Sequence, residues 1–228
     1  MIHLKIPLFK YRTELVLEGI DIRFETGKTH GVVGLNGAGK TTMFQIMAGF
    51  LKTPGAAVTR NENAVATSEV AYLDTDLFFY PKLTAREFLS VFPSKSASYH
   101  EEALAALLKL PLDGFMEEFS TGMKKKLLLQ SQIKQNKNIY ILDEPFNGLD
   151  LETNRLLEVI ISLLNERGKT VFISSHILEP LLNVCTQVHY LKNKGIERSF
   201  RQEEFSLIEE ELFGNYTREI RKDLLHCI

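Results

Sequence analysis

Gly34-Leu35-Asn36-Gly37-Ala38-Gly39-Lys40-Thr41 is the stretch from which the rest of the chain is read. Glycines at its first and sixth positions, followed by Lys and Thr, fit the loop that cradles the phosphates of a nucleoside triphosphate. Glycines without Cβ let consecutive backbone N–H groups turn inward, and the following helix offers the positive end of its dipole to the same charge. Lys40 supplies a mobile cation for the β and γ phosphates, and Thr41 a hydroxyl for Mg2+. The candidate phosphate contacts are therefore Asn36, Gly37, Ala38, Gly39, Lys40, Thr41 and Thr42. His30-Gly31-Val32-Val33 reads as a short buried strand before the loop, and Thr42 to Ala48 has helical spacing after it, the setting such a loop requires.

With 228 residues the chain suits one large domain, 1–228, that buries most of its apolar surface. A formal net charge of −2 leaves no global basic footprint, so no nucleic-acid partner is expected. Lys5, Pro7 and Lys10 interrupt the apolar opening, unlike a secretory signal, and no run approaches the roughly 18 apolar residues of a membrane span. A soluble chain that meets a membrane only through a partner is expected. Cys185 and Cys227 lack metal-ligand spacing and suit a reducing cytoplasm better than a disulfide framework.

Working outward, residues 2–9 and 14–24 alternate as strands and form an antiparallel β layer ahead of the loop. Phe9-Lys10-Tyr11 lies between them, where Tyr11 could stack on a base or simply pack at a strand end. Glu69 to Leu73 reads as a returning strand; Thr84 with Glu87 forms a capping box that opens a helix, and a second helix begins near Glu101. Residues of roughly 82–136 read as a helical subdomain inserted into an otherwise α/β chain. Ile139-Tyr140-Ile141-Leu142 is an apolar run typical of a parallel strand buried on both faces, and it ends in Asp143-Glu144, where open α/β sheets bind ligands. A helix from Arg155 to Glu166, a strand from Lys169 to Ser174 and two late strands follow. The fold class is α/β: a phosphate-loop NTPase core with a mostly parallel sheet, an N-terminal antiparallel β layer and the helical insert. The tail from Gln202 to 228 has helical spacing at Phe205, Ile208 and Leu212.

Asp143 can hold Mg2+ directly or through water, and Glu144 can accept a proton from the attacking water or hold that water in line. Neighbouring strand residues point to opposite faces, so one of the two could instead be a buried structural acid.

At this point the sequence resembles the ATP-binding cassette (ABC) ATPases. The resemblance spans residues of about 3 to 200 and rests on motifs in the family's order: Gly34 to Thr41, Phe119-Ser120-Thr121-Gly122-Met123, Ile139 to Pro145, Gly148-Leu149-Asp150 and Ser174-Ser175-His176. It implies an MgATP-hydrolysing subunit that closes as a head-to-tail homodimer against separate transmembrane permease subunits, on the inner face of the cell membrane. Ser120 and Gly122 then belong to a signature loop that reaches the γ-phosphate held by the other subunit, although Ser120 reads equally as a plain helix N-cap. Asp150 resembles the residue that communicates across the dimer and also caps a helix with Thr153. His176 resembles the histidine that contacts the γ-phosphate, against the simpler reading of a structural histidine, and Tyr11 falls where the family stacks adenine.

Two departures bear on coupling. The family usually places a glutamine on Mg2+ and the permease where this chain has Thr75, with Asp74 and Asp76 beside it. Met123-Lys124 stands where many members have Gly-Gln, a variant resembling bacterial export-type cassettes. Lys124, Lys125 and Lys126 read for the most part as a solvated helix face. The resemblance leaves open two other readings, a soluble ABC ATPase acting on nucleic acid or ribosomes and a regulatory subunit with weak hydrolysis.

Overall fold

The computed structural model describes residues 1–74, 81–96, 98–212, 214 and 224. In chain order the strands β1 (Ile2–Tyr11), β2 (Glu14–Phe24) and β3 (Thr29–Val33) precede helix α1 (Lys40–Met47). Next come β4 (Ala57–Arg60), β5 (Asn63–Ala64) and β6 (Val70–Leu73), then the helices α2 (Ala85–Ser90), α3 (Glu101–Leu108) and α4 (Thr121–Lys134). The chain continues through β7 (Ile139–Leu142), α5 (Leu151–Glu166), β8 (Thr170–Ser175), α6 (Leu178–Val184), β9 (Gln187–Lys192) and β10 (Gly195–Arg201). Residues 205–212 are helical; of the tail beyond them only 214 and 224 are described, so Cys227 lies outside the described residues. Among the described residues no helix is long and apolar enough to cross a membrane.

The strands form an antiparallel sheet in the order β2-β1-β4-β5 and a second sheet in the order β10-β9-β3-β8-β7-β6, parallel except for the β9–β10 hairpin. Period-2 alternation divides the second sheet between two cores. Val32, Ile139, Ile141 and Phe172 face α1 and the antiparallel layer, with Phe24, Met43 and Phe44. Val33, Tyr140, Leu142, Val171 and Ile173 face the opposite way, against Leu157, Ile161 and Leu164 of α5. Both faces are covered, which is why these strands are continuous apolar runs. A third cluster, including Leu89, Leu108, Met116 and Phe119, gives α2, α3 and the start of α4 their own core. Thr84 caps α2 by accepting from the Glu87 amide, and the Glu87 carboxylate returns to the Thr84 amide at 2.8 Å.

Helix α4 overturns the expectation of a solvated lysine face. It is wedged between the third cluster and the α5 side of the sheet, so Leu127 serves one core and Leu129 the other. Lys125 is only 8% exposed, the Lys126 side chain 11%. A run of three lysines on consecutive helix positions points over most of the helix circumference, and here most of that circumference is covered.

Beneath the antiparallel layer two histidines are buried. His30 Nε2 donates to the Glu25 carbonyl at 2.8 Å, because a carbonyl can only accept. Its Nδ1 therefore accepts from His189 Nε2 at 3.3 Å, and His189 Nδ1 accepts from the Ser199 hydroxyl at 2.7 Å. Burial holds the His30 pKa below its usual value and pushes that of His189 down to about 3. The unfolded chain protonates the same ring near pH 6.5, so below that pH it binds the extra proton and the fold loses stability until the folded-state pKa is reached. Above pH 6.5 the contribution is constant. Between pH 7.5 and 5.5 the loss is about 1.4 kcal/mol for His189 alone. Urea titrations at the two pH values check it: His189→Leu should flatten the difference, and an unchanged difference in that variant would assign the pH dependence elsewhere.

Candidate nucleotide site

The site is assembled where β3, β7 and β8 end. At the end of β3 the loop must pass under β9 and over β2, and two glycines permit it. A Cβ on Gly34 would sit 2.5 Å from the Leu191 carbonyl oxygen, and one on Gly39 would sit 2.7 Å from Leu17 Cδ2. Gly39 also caps α1 with a φ of +103°, a backbone region L side chains rarely adopt. Leu35, Asn36 and Gly37 are exposed at the lip, Ala38, Gly39 and Thr41 are half-buried, and Thr42 is buried. Lys40 is 7% exposed; its ammonium donates to the carbonyls of Gly34 at 2.8 Å and Leu35 at 3.3 Å. The loop thus holds its own cation in place, 3.7 Å from Glu144 Oε1.

Asp143 continues the face of Ile141, the face that packs on α1, and is 1% exposed. Its Oδ1 accepts a short hydrogen bond from the Ser174 hydroxyl, whereas Oδ2 is buried with no hydrogen-bond partner among the described residues. Burial raises the pKa of this carboxyl, opposed by the Ser174 and Thr41 hydroxyls. An orphaned carboxylate oxygen beside a threonine hydroxyl is the kind of hard oxygen pair that suits Mg2+. Among the described residues no group of three or more His, Cys, Asp or Glu side chains is arranged to hold a metal ion. Thr75 lies outside the described residues.

Glu144 does not continue the strand. Its φ of +49° puts it in the left-handed region, which turns the chain and removes the alternation that set the two acids on opposite faces. The carboxylate is brought beside Lys40, and Oε2 accepts from His176 Nδ1 at 2.9 Å. Since an ionised carboxylate only accepts, Nδ1 carries the proton. His176 itself is 40% exposed at the end of β8. Ser174 ties the group together, donating to Asp143 and accepting from the Glu144 amide at 2.9 Å.

The other expected residues lie apart from this cluster. Tyr11 ends β1 with 46% exposure, and its ring meets Phe9 edge-on at a ring-centroid distance of 4.9 Å. Ser120 caps α4 by accepting from the Met123 amide at 3.2 Å. The atoms nearest a Cβ on Gly122 would belong to Gly148, Ser120 and Leu149, none of them in the phosphate loop. Asp150 caps α5, accepting from the Thr153 amide at 2.7 Å, with Lys126 3.9 Å away.

The sequence pattern of the family described as ABC transporter matches residues 17–147, more than half of the chain. The chain belongs to the ABC transporter family. Curated relatives of this ABC transporter chain include an uncharacterised ABC transporter ATP-binding protein of Methanocaldococcus jannaschii, 33% identical over 78% of this chain and 68% of the relative. A second uncharacterised ATP-binding protein, from Synechocystis, is 31% identical over 77% of this chain, which spans only about half of that relative, 53%. The Nod factor export ATP-binding protein I of Burkholderia thailandensis is 26% identical over 94% of this chain and 77% of the relative. Among solved structures, the ATP-binding subunit of an ABC transporter superposes with a TM-score of 0.82 at 25% identity, covering 95% of this chain and 99% of its own. A dimeric ATP-binding cassette in a post-hydrolysis state, bound to ADP and Pi, shares the fold, with a TM-score of 0.77 at 21% identity over 89% of this chain and 99% of its own.

Two participants escape sequence reasoning. Ser174 is visible as part of the motif ending at His176, but its bridge between the two acids needs β7 and β8 side by side. Lys125 is hidden in the lysine run and turns out to contact the chain immediately after Asp143.

Proposed function

We propose that this ABC transporter chain is the ATP-binding subunit of an export system, hydrolysing MgATP as a head-to-tail dimer that drives separate transmembrane permease subunits. The observation that carries the reading is the convergence of Lys40, Glu144 and His176 on the mouth of the loop, with Ser120 and Gly122 beside Gly148 instead of at that loop. The N-terminus of α1 already meets the phosphate, and a second copy is needed to bring the Ser120-capped N-terminus of α4 to it as well. The amides from Asn36 to Thr42 hold the phosphates, Lys40 neutralises the β and γ oxygens, and Tyr11 offers its ring to the adenine. Thr41 and Asp143 would hold a magnesium ion, which when bound would neutralise phosphate charge. Glu144 orients the attacking water and accepts its proton, and His176 fixes the carboxylate through Nδ1. Asp150, exposed beside the signature helix, faces the partner copy.

Export is favoured by the name of the Burkholderia relative and by Met123-Lys124 in the signature loop. The permease carries the membrane contact, and the cassette sits on its cytoplasmic side. ATP should still bind the single copy at low protein concentration, while turnover per chain should rise with concentration and then saturate. Steady-state ATPase assays over about two decades of protein concentration test this; flat specific turnover would mean that one copy suffices and would sink the dimer mechanism.

A further inference from the structure

Glu144 holds an unfavourable backbone conformation. It is a non-glycine residue with a φ of +49°, and Pro145 follows it, restricting its backbone further. Such a conformation persists only when the surroundings hold it from several sides. The Glu144 amide is held from β8 by the Ser174 hydroxyl at 2.9 Å. Its carbonyl accepts from the Asn147 amide at 3.3 Å and, from the neighbouring helix α4, from the Lys125 ammonium at 3.0 Å. The same ammonium donates to the Asn147 carbonyl at 2.6 Å. Lys125 thus spans the turn that runs from the acid toward Gly148 and Asp150, and does so with only 8% of its surface exposed.

A lysine is seldom buried unless its charge is used. Here two of its three donors meet backbone carbonyls, and its stem belongs to α4, whose first turn is capped by Ser120. We propose that Lys125 is a positioning residue: it fixes the Glu144 backbone so that the carboxylate meets the attacking water, and it ties that carboxylate to the signature helix of the same chain. The inference rests on Glu144 acting as proposed above. When Ser120 and Gly122 close on the phosphate of the partner's site, α4 carries Lys125 with it, and the Glu144 of its own site is set by the same movement. One helix therefore serves both sites of the dimer, touching the phosphate in one and holding the glutamate in the other.

The test compares Lys125→Met, Lys125→Arg and Glu144→Gln with the wild-type chain in ATP titrations of steady-state turnover, fluorescent-nucleotide binding and thermal melts. Lys125→Met keeps the stem and removes the donors. It should lower kcat by about ten- to a hundredfold, the cost of misplacing a reacting group by about an ångström. KM and nucleotide affinity should stay within about twofold, since phosphate binding does not use this side chain. Lys125→Arg keeps donors at the turn and should turn over faster than Lys125→Met. A Lys125→Met chain with wild-type kcat overturns the inference, and so does one that loses nucleotide affinity and melting temperature together with kcat, which would make Lys125 a general packing residue. Equal turnover in the Met and Arg variants overturns the donor role. If Glu144→Gln is inactive while Lys125→Met is fully active, the positioning inference alone falls; if Glu144→Gln turns over normally, the reading of Glu144 falls and the inference with it.

Discussion

Glu144→Gln should lower kcat about 10²- to 10⁴-fold while ATP still binds, the range expected for removing a positioned general base. The substitution is nearly isosteric, so the backbone contacts from Ser174, Asn147 and Lys125 remain. What changes is charge and basicity. The carboxylate that stands 3.7 Å from Lys40 and accepts from His176 at 2.9 Å becomes an amide, which cannot take the proton of the attacking water. Removing the negative charge beside Lys40 also frees that cation for phosphate, so ATP affinity should hold or rise. With closure intact and hydrolysis blocked, the ATP-bound dimer should accumulate. Single-turnover kinetics and size-exclusion chromatography in MgATP check both halves. Wild-type turnover would remove Glu144 from the mechanism, whereas slow turnover without a dimer would separate the chemistry from the closure.

The same glutamate shows where sequence reading stops. Its place beside the phosphate loop is legible because an apolar run ending in two acids, downstream of such a loop, marks where open α/β sheets bind ligands. The geometry is not legible, since alternation along a strand sets Asp143 and Glu144 on opposite faces and nothing local announces a left-handed turn. That turn depends on partners from β8 and α4, remote in sequence. Lys125 is the converse case: its local pattern argues for solvent, and burial follows only once α4 is wedged between two cores. Pattern readings hold where one face of one element decides the outcome, as for the Thr84 cap of α2 and the apolar stripe Leu157, Ile160, Ile161 and Leu164 of α5. They weaken where an element meets two neighbours at once. The paired histidines belong to the second kind, since His30 and His189 lie far apart in the chain and meet only because β3 and β9 are adjacent.

Lys40→Ala should weaken ATP binding by at least about 30-fold, corresponding to about 2–5 kcal/mol for truncating one partner of a buried charge contact. The lysine is already held in the loop, because the carbonyls of Gly34 and Leu35 accept from its ammonium at 2.8 and 3.3 Å. Little side-chain entropy remains to be lost on binding, so most of its attraction for phosphate appears as affinity. In the alanine variant those two carbonyls lose a charged donor, and Glu144 loses the cation 3.7 Å away and faces the incoming phosphate charge unopposed. The last effect makes a double variant informative. Repulsion from Glu144 should contribute part of the loss, so Glu144→Gln added to Lys40→Ala should recover some affinity, although neither chain hydrolyses ATP. Equilibrium titration with a fluorescent ATP analogue measures all four combinations. If Glu144→Gln changes affinity by the same factor with and without Lys40, Lys40 acts on phosphate alone; unchanged affinity in Lys40→Ala would dismiss the loop as the nucleotide site. A gain from Glu144→Gln that is larger without Lys40 than with it would show instead that Lys40 has two tasks, binding the phosphate and shielding it from the carboxylate proposed to act on the water beside it.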